Sequence, residues 1–109
     1  MDNSDIEHYE NLGYLPPPPN IAGVTIYGKS DCIRCDELKD LLEQGNINYE
    51  YINCDEYLIS DKEKFKEIMF EYMRINPIKK VLYFPVCFVD NIYFSSMNRF
   101  FYNAEKKIN

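Results

Sequence analysis

No run of apolar residues in this 109-residue chain approaches the roughly 18 that a membrane-spanning helix needs. The amino terminus, Met1-Asp2-Asn3-Ser4-Asp5, has neither the cationic start nor the apolar stretch of a secretory leader. Basic residues are in deficit. Twelve Lys and Arg stand against 18 Asp and Glu, giving a formal charge of −6 that excludes the basic stripe of a nucleic-acid surface. Tryptophan is absent and histidine occurs once, as His8. What remains is one small domain. Its hydrophobic share of 46%, with 10 Tyr and 7 Phe, is enough for a core and excludes wholesale disorder. Four cysteines without a leader imply reduced thiols in a cytoplasm-like compartment, where cysteine serves chemistry, metal or core more often than structural disulfides. The richness in Ile, Asn, Lys and Tyr, whose codons are mostly AT-rich, points to an AT-biased genome; in a viral gene the compartment would be the host cytoplasm.

Charge is unevenly spread. Residues 1–20 carry Asp2, Asp5, Glu7 and Glu10 with no Lys or Arg, and end in Pro16-Pro17-Pro18-Pro19, which favours an extended polyproline II rod. This segment reads as an acidic tail with a stiff spacer, and the folded module is expected to occupy residues 21–109. Tyr14-Leu15-Pro16-Pro17-Pro18-Pro19 also has the composition of proline motifs that dock in aromatic grooves, so residues 14–19 can be read as a ligand as well.

Within the module the periodicity alternates. Ala22–Tyr27 is a β-branched run ending at Gly28, the signal of a buried strand. A helical pattern follows, with Cys35, Leu38, Leu41 and Leu42 on one face and Gly45 as its C-cap. Tyr49–Cys54 alternates like a strand. Ser60-Asp61-Lys62-Glu63 reads as a capping box before a helix that places Phe65, Ile68, Met69, Tyr72 and Ile75 together. Val81–Asp90 and Ile92–Phe94 read as a strand hairpin. A last helix begins near Asn98 and buries Phe101, Ala104 and Ile108 or their neighbours. The order β-α-β-α-β-β-α implies a parallel pair with a right-handed crossover, extended by antiparallel strands.

The chemistry is concentrated at Cys32-Ile33-Arg34-Cys35. This motif follows the first strand and opens the first helix, where unpaired amides and the helix dipole stabilise an anion. The thiolate is the nucleophile toward a disulfide, so the position lowers the pKa of the exposed Cys32 below the ordinary value of about 8.5, helped by Lys29 and Arg34. Cys35, one turn on and on the apolar face, is the buried resolving partner. A half zinc site is the competing reading, but the other candidate ligands are Cys54, Cys87 and His8, two in strands and one in the tail. No metal is therefore expected. Pro85 interrupts an otherwise good strand. A cis Phe84–Pro85 bond would turn the Phe84 backbone outward toward an incoming peptide-like thiol, whereas an edge strand or bulge is the bland alternative.

Over roughly residues 23–107 the chain resembles the glutaredoxin family. Tyr27-Gly28-Lys29-Ser30-Asp31-Cys32-Ile33-Arg34-Cys35 resembles the family's active-site segment, including a lysine three residues before the first cysteine. Gly45 with Tyr49-Glu50-Tyr51-Ile52 is similar to its helix end and second strand, and Tyr83-Phe84-Pro85 stands at its cis-proline segment. Ser95-Ser96 occupy the place of a glycine pair, and Asn98 that of an acidic residue holding the amino end of glutathione; Ile33-Arg34 replaces the usual Pro-Tyr. The resemblance implies an α/β fold of thioredoxin type, a four-stranded mixed sheet with helices on both faces. It implies a thiol–disulfide oxidoreductase in which Cys32 attacks and Cys35 resolves. Glutathione would be the reductant, bound by Lys29, Arg34, Phe84, Pro85, Ser95, Ser96 and Asn98, with Lys79 or Lys80 as further cations. Expected partners are glutathione and disulfide-containing proteins, with no nucleic acid and no membrane, and a monomer is expected. The alternatives are a non-catalytic module or one that uses Cys32 with external glutathione to hold an iron–sulfur centre across a dimer, and a thioredoxin-like reductase that does not use glutathione. Cys54 and Cys87 read as core residues, on strands flanking the first strand.

Overall fold

Val24, Thr25 and Ile26 are β-branched, which favours extended backbone, and all five residues of β1 (Val24–Gly28) are buried, so this strand runs through the centre of the sheet. The structure is a computed structural model that describes residues 15–76 and 81–107. β2 (Tyr49–Asn53) pairs parallel to β1, with Val24 opposite Tyr49, and β3 (Val86–Val89) pairs antiparallel on the other side, with Tyr27 opposite Val86. β4 (Ile92–Phe94) completes the order β2-β1-β3-β4. It is joined to β3 through Asp90 and Asn91, both at positive φ (51° and 68°), the twist that a two-residue hairpin requires.

α1 (Ile33–Gln44) is the crossover between the parallel strands and ends at Gly45 as expected, although the left-handed step falls on Asn46 at φ 57°. α2 (Asp55–Ser60) is a short helix absent from the sequence pattern. It consumes Ser60, so the capping box shifts by one residue: Asp61 is the N-cap of α3 (Lys62–Met73) and accepts the Lys64 N–H at 3.0 Å. Arg74 at φ 59° ends α3, which leaves Ile75 beyond it; Phe70 and Met73 are buried on the face where Ile68 and Tyr72 are only partly covered. The strand expected over 81–90 is confined to β3, with residues 81–85 irregular. α4 (Met97–Glu105) starts one residue early, and Phe100 and Ala104 are its buried residues while Phe101 is half-buried; Ile108 lies outside the described residues.

Alternation along the strands splits the core in two. Val24, Ile26, Cys87 and Val89 pack on Leu38, Leu42, Ile47, Phe100 and Ala104, which puts α1 and α4 on one face. Tyr27, Ile52, Val86 and Phe88 pack on Phe65, Met69, Phe70 and Met73, which puts α3 on the other. The sheet is thus four-stranded and mixed, with helices on both sides, as expected of the thioredoxin type.

The largest departure concerns the proline segment. Residues 15–20 do not stand off the module. The Pro16 side chain is fully buried, the Tyr72 hydroxyl donates to the Pro16 carbonyl at 2.7 Å, and the Tyr27 hydroxyl donates to the Pro17 carbonyl at 2.6 Å. Asn20 then donates its backbone N–H to Thr25 Oγ1 (3.0 Å) and its side-chain amide to Glu50 (2.8 Å). A polyproline strand makes no internal hydrogen bonds, so its carbonyls are free for phenolic donors, and the prolines lose little entropy on docking. The chain reverses into β1 through Gly23 at φ 92°, whose N–H donates to the Asp90 carboxylate at 2.7 Å. The folded unit therefore begins before residue 20; residues 1–14, with the rest of the acidic tail, lie outside the described residues.

Candidate redox site

β1 delivers the chain to the site at Gly28. A Cβ there would overlap the Tyr51 hydroxyl, so only glycine lets β2 lay Tyr51 across the end of β1. The following loop is clamped from α2: Ser30 donates its N–H to Asp55 Oδ1 at 2.9 Å and its hydroxyl to Asp55 Oδ2. These two bonds, with Lys29 nearby, hold the Asp55 carboxyl below the ordinary carboxylate range. Asp31, at φ 53°, makes the turn into Cys32.

Cys32 is the N-cap of α1, in extended conformation, and its sulfur accepts the Cys35 N–H at 3.2 Å. The pair is a disulfide, Cα to Cα 5.2 Å, within the span that a disulfide requires. The two sulfurs are not equivalent: Cys32 is half-buried while Cys35 is fully buried. Ile33 and Arg34 between them are exposed. The arrangement gives an accessible sulfur at the positive end of a helix and a sheltered one within reach to displace whatever becomes attached to it.

Facing the motif, the Phe84–Pro85 bond is cis, as expected. Phe84 stacks its ring on Phe65 (centroids 6.1 Å apart), and Tyr83 is exposed. Among the described residues the Phe84 N–H and carbonyl have no hydrogen-bond partner. Between α1, β4 and the start of α4 lies a groove of about 540 Å³ that reaches Arg34 at one end and Phe84-Pro85 at its side.

Of the residues expected around this site, Arg34, Phe84, Pro85 and Ser95 line the groove. Ser96 is otherwise engaged: it caps α4, its hydroxyl accepting the Arg99 N–H at 3.4 Å. Its φ of −89° is ordinary backbone, and Ser95 is likewise outside the left-handed region, so neither serine needs the freedom of glycine. Asn98 is exposed in the first turn of α4. Lys29 is half-buried in the clamped loop; Lys79 and Lys80 lie outside the described residues.

Cys54 and Cys87 take no part in the site. Cys54 falls just past β2, as the residue before α2, and Cys87 lies within β3; they belong to opposite halves of the core. Burial pushes both thiols up to about 12, with the Asp55 carboxylate adding to the effect at Cys54, so neither is a thiolate near neutral pH. Among the described residues no group of three or more His, Cys, Asp and Glu could hold a metal ion, and no helix is long and apolar enough to cross a membrane. The sequence reading missed the Asp55 clamp and most of the groove. Leu41, placed among the buried residues of α1, is half exposed there, and the spacing of Met97 and Phe101 on one face of α4 was the only sign of the opposite wall.

The family model for glutaredoxin matches residues 24–94, more than half of the chain. Among solved structures the chain is similar to a buckwheat glutaredoxin in complex with glutathione, with a TM-score of 0.54 at 15% identity over 85% of this chain and 76% of that one. Comparison with curated proteins gives no match.

Proposed function

The chain belongs to the glutaredoxin family, and from that premise we propose that it is a glutathione-dependent thiol–disulfide oxidoreductase. The observation that carries the reading is the Cys32–Cys35 disulfide at the start of α1, with one sulfur accessible and the other buried. In the reduced protein the Cys32 thiolate attacks a sulfur of the substrate disulfide. That bond breaks, one substrate thiolate leaves and takes a proton, and a mixed disulfide forms on Cys32. Cys35 then attacks Cys32 Sγ, releasing the second substrate thiol and closing the Cys32–Cys35 disulfide. Two molecules of glutathione restore the dithiol and leave as glutathione disulfide, so the net reaction exchanges one substrate disulfide for one of glutathione.

Lys29 and Arg34 supply positive charge for the carboxylates of glutathione, and Arg34 can pair one of them in bidentate fashion. The N–H and carbonyl of Phe84, unpaired among the described residues, suit its peptide backbone, beside Pro85. Ser95 and Asn98 offer polar groups for its amino end, while Ser96 can contribute backbone only, its hydroxyl being spent on the α4 cap. Disulfide-containing proteins are the substrates, in a reducing, cytoplasm-like compartment. The proline segment serves the chain's own surface, since Pro16 is buried there, in preference to an outside proline-binding module.

The test is turnover of a glutathione mixed disulfide, run beside an assay coupled to thioredoxin reductase. Cys32→Ser should abolish turnover, and brief alkylation of the reduced wild type should label Cys32 ahead of Cys35, Cys54 and Cys87. Reduction by thioredoxin reductase alone would remove glutathione from the assignment, and equal labelling of Cys32 and Cys35 would remove the division of roles.

A further inference from the structure

Lys29, Ser30 and Asp31 join β1 to α1 outside any strand or helix, and Ser30 and Asp31 are exposed. Asp31 is at φ 53°, a conformation that costs an L-residue and persists where its surroundings enforce it. Two contacts supply that constraint. The Cys54 N–H donates to the Gly28 carbonyl at 2.8 Å, which fixes the end of β1. Asp55 accepts both the Ser30 N–H, at 2.9 Å, and the Ser30 hydroxyl, so one carboxylate fixes backbone and side chain two residues before Cys32. α2 is itself anchored. The Asp55 N–H donates to Asn53 Oδ1 at 2.9 Å, and Tyr57 stacks on the fully buried Phe65, with ring centroids 6.0 Å apart. Position is thus passed from the core, through α2 and Ser30, to the head of α1.

What that position decides is the state of the sulfur. Cys32 Sγ accepts the Cys35 N–H at 3.2 Å, and the benefit of a helix end to an anion fades within one turn. A loop that shifts withdraws the sulfur from that amide. The charge of Asp55 acts in the opposite sense, since a carboxylate opposes a nearby thiolate and offsets Lys29. As a charge alone, Asp55 would make Cys32 a weaker nucleophile. We propose that Asp55 is a positioning residue for the redox reaction: through Ser30 it holds Cys32 at the N-cap of α1, where the sulfur is a thiolate near neutral pH. This rests on the reading that Cys32 is the attacking thiol. Lys29 and Asp31 of the loop, Arg34 and Asp36 of the first turn of α1, and Glu56 of α2 are the other charged residues of these segments. Tyr51 of β2 and Cys54 also feel the Asp55 carboxylate, but burial raises both, so they are neutral at pH 7.

The test follows alkylation of Cys32 by iodoacetamide against pH, in the full reduced chain and without glutathione, with the labelled residue identified by mass spectrometry. Asp55→Ala should move the profile up by about one pH unit, a roughly tenfold slower reaction below both midpoints. Ser30→Ala, which removes only the hydroxyl bond, should move it less and in the same direction. Asp55→Asn keeps an acceptor for the Ser30 N–H without the charge, and should recover most of the shift. Glu56→Gln removes an anion from the same helix without touching Ser30 and should leave the profile in place. A profile that moves down in both Asp55 variants would reduce the residue to its charge and overturn the proposal. A lowered Tm with an unmoved profile in Asp55→Ala overturns it too, since the clamp then supports the fold alone. Should Asp55→Ala fail to fold, Ser30→Ala carries the test, and an unmoved profile there counts against the proposal. Equal labelling of Cys32 and Cys35 in the wild type is a different failure, which removes the division of roles and the positioning residue with it.

Discussion

On the face that carries α3, the chain closes its own surface: Pro16 is buried, and the hydroxyls of Tyr27 and Tyr72 hold the Pro17 and Pro16 carbonyls. On the opposite face, a groove between α1, β4 and the start of α4 leaves Leu41 and Met97 partly in water. The two faces have cores of similar make-up, yet among the described residues it is the face of α1 and α4 that borders the groove. On the α3 face, apolar surface is covered by a segment that needs no helix of its own.

Deleting residues 1–20 is the strongest way to break this contrast. It removes two buried prolines, Pro16 and Pro19, and two phenolic hydrogen bonds, and it leaves the Tyr27 hydroxyl inside the protein without its acceptor. The cost should be about 3 kcal/mol, a fall in Tm of roughly 15 °C for a domain of this size, read by thermal unfolding. A shift under about 2 °C would show that the closed face needs no strap. A smaller effect is expected of Tyr72→Phe, which keeps the ring and removes one donor; equilibrium denaturation should register about 1 kcal/mol, with the rate of Cys32 alkylation unchanged. Loss of reactivity in that variant would mean that the two faces are coupled and the division drawn here is wrong.

The smallest effect is a dependence on acid. The Asp90 carboxylate accepts from the Gly23 N–H at the root of the strap and pairs with Lys107 at 2.6 Å beyond α4, and these contacts hold its carboxyl below the ordinary range. A carboxyl depressed by folding contributes stability that is full above its unfolded value, about 3.9, and is lost as the pH falls through the folded value. Asp90→Asn should therefore be less stable than the wild type at pH 7, and the gap should close toward pH 3, read as the difference in denaturant midpoint. A gap that stays constant with pH would assign the loss to packing and not to charge.

The redox motif was legible because its geometry is local. A β-branched run, a glycine and a helix with Cys35, Leu38 and Leu42 on one face are enough to put Cys32 at a helix N-terminus, and the resemblance to the glutaredoxin family rests on the same stretch. The hairpin was legible for a similar reason, since Asp90 and Asn91 tolerate positive φ. The capping box failed by one residue because Asp61 caps a helix as well as Ser60 does, and the local sequence does not choose between them. The strap was misread because acidic charge and four prolines describe how a segment behaves when free, and say nothing of what it meets.

The sequence by itself determined the order of the elements apart from α2, the central buried strand, the partition of its side chains between two faces, and the pairing of an accessible with a buried sulfur at the head of α1. These follow from periods of 2 and 3.6 residues and from the unpaired amides of a helix end, all set within one or two turns of chain. Only the tertiary structure decided that Tyr72 reaches across 56 residues to Pro16 and that Asp55 holds Ser30 across 25. It alone also left Leu41 and Met97 facing open water beside the disulfide. Each of these depends on which distant side chains the sheet order β2-β1-β3-β4 brings together, and distance along the chain carries no record of that.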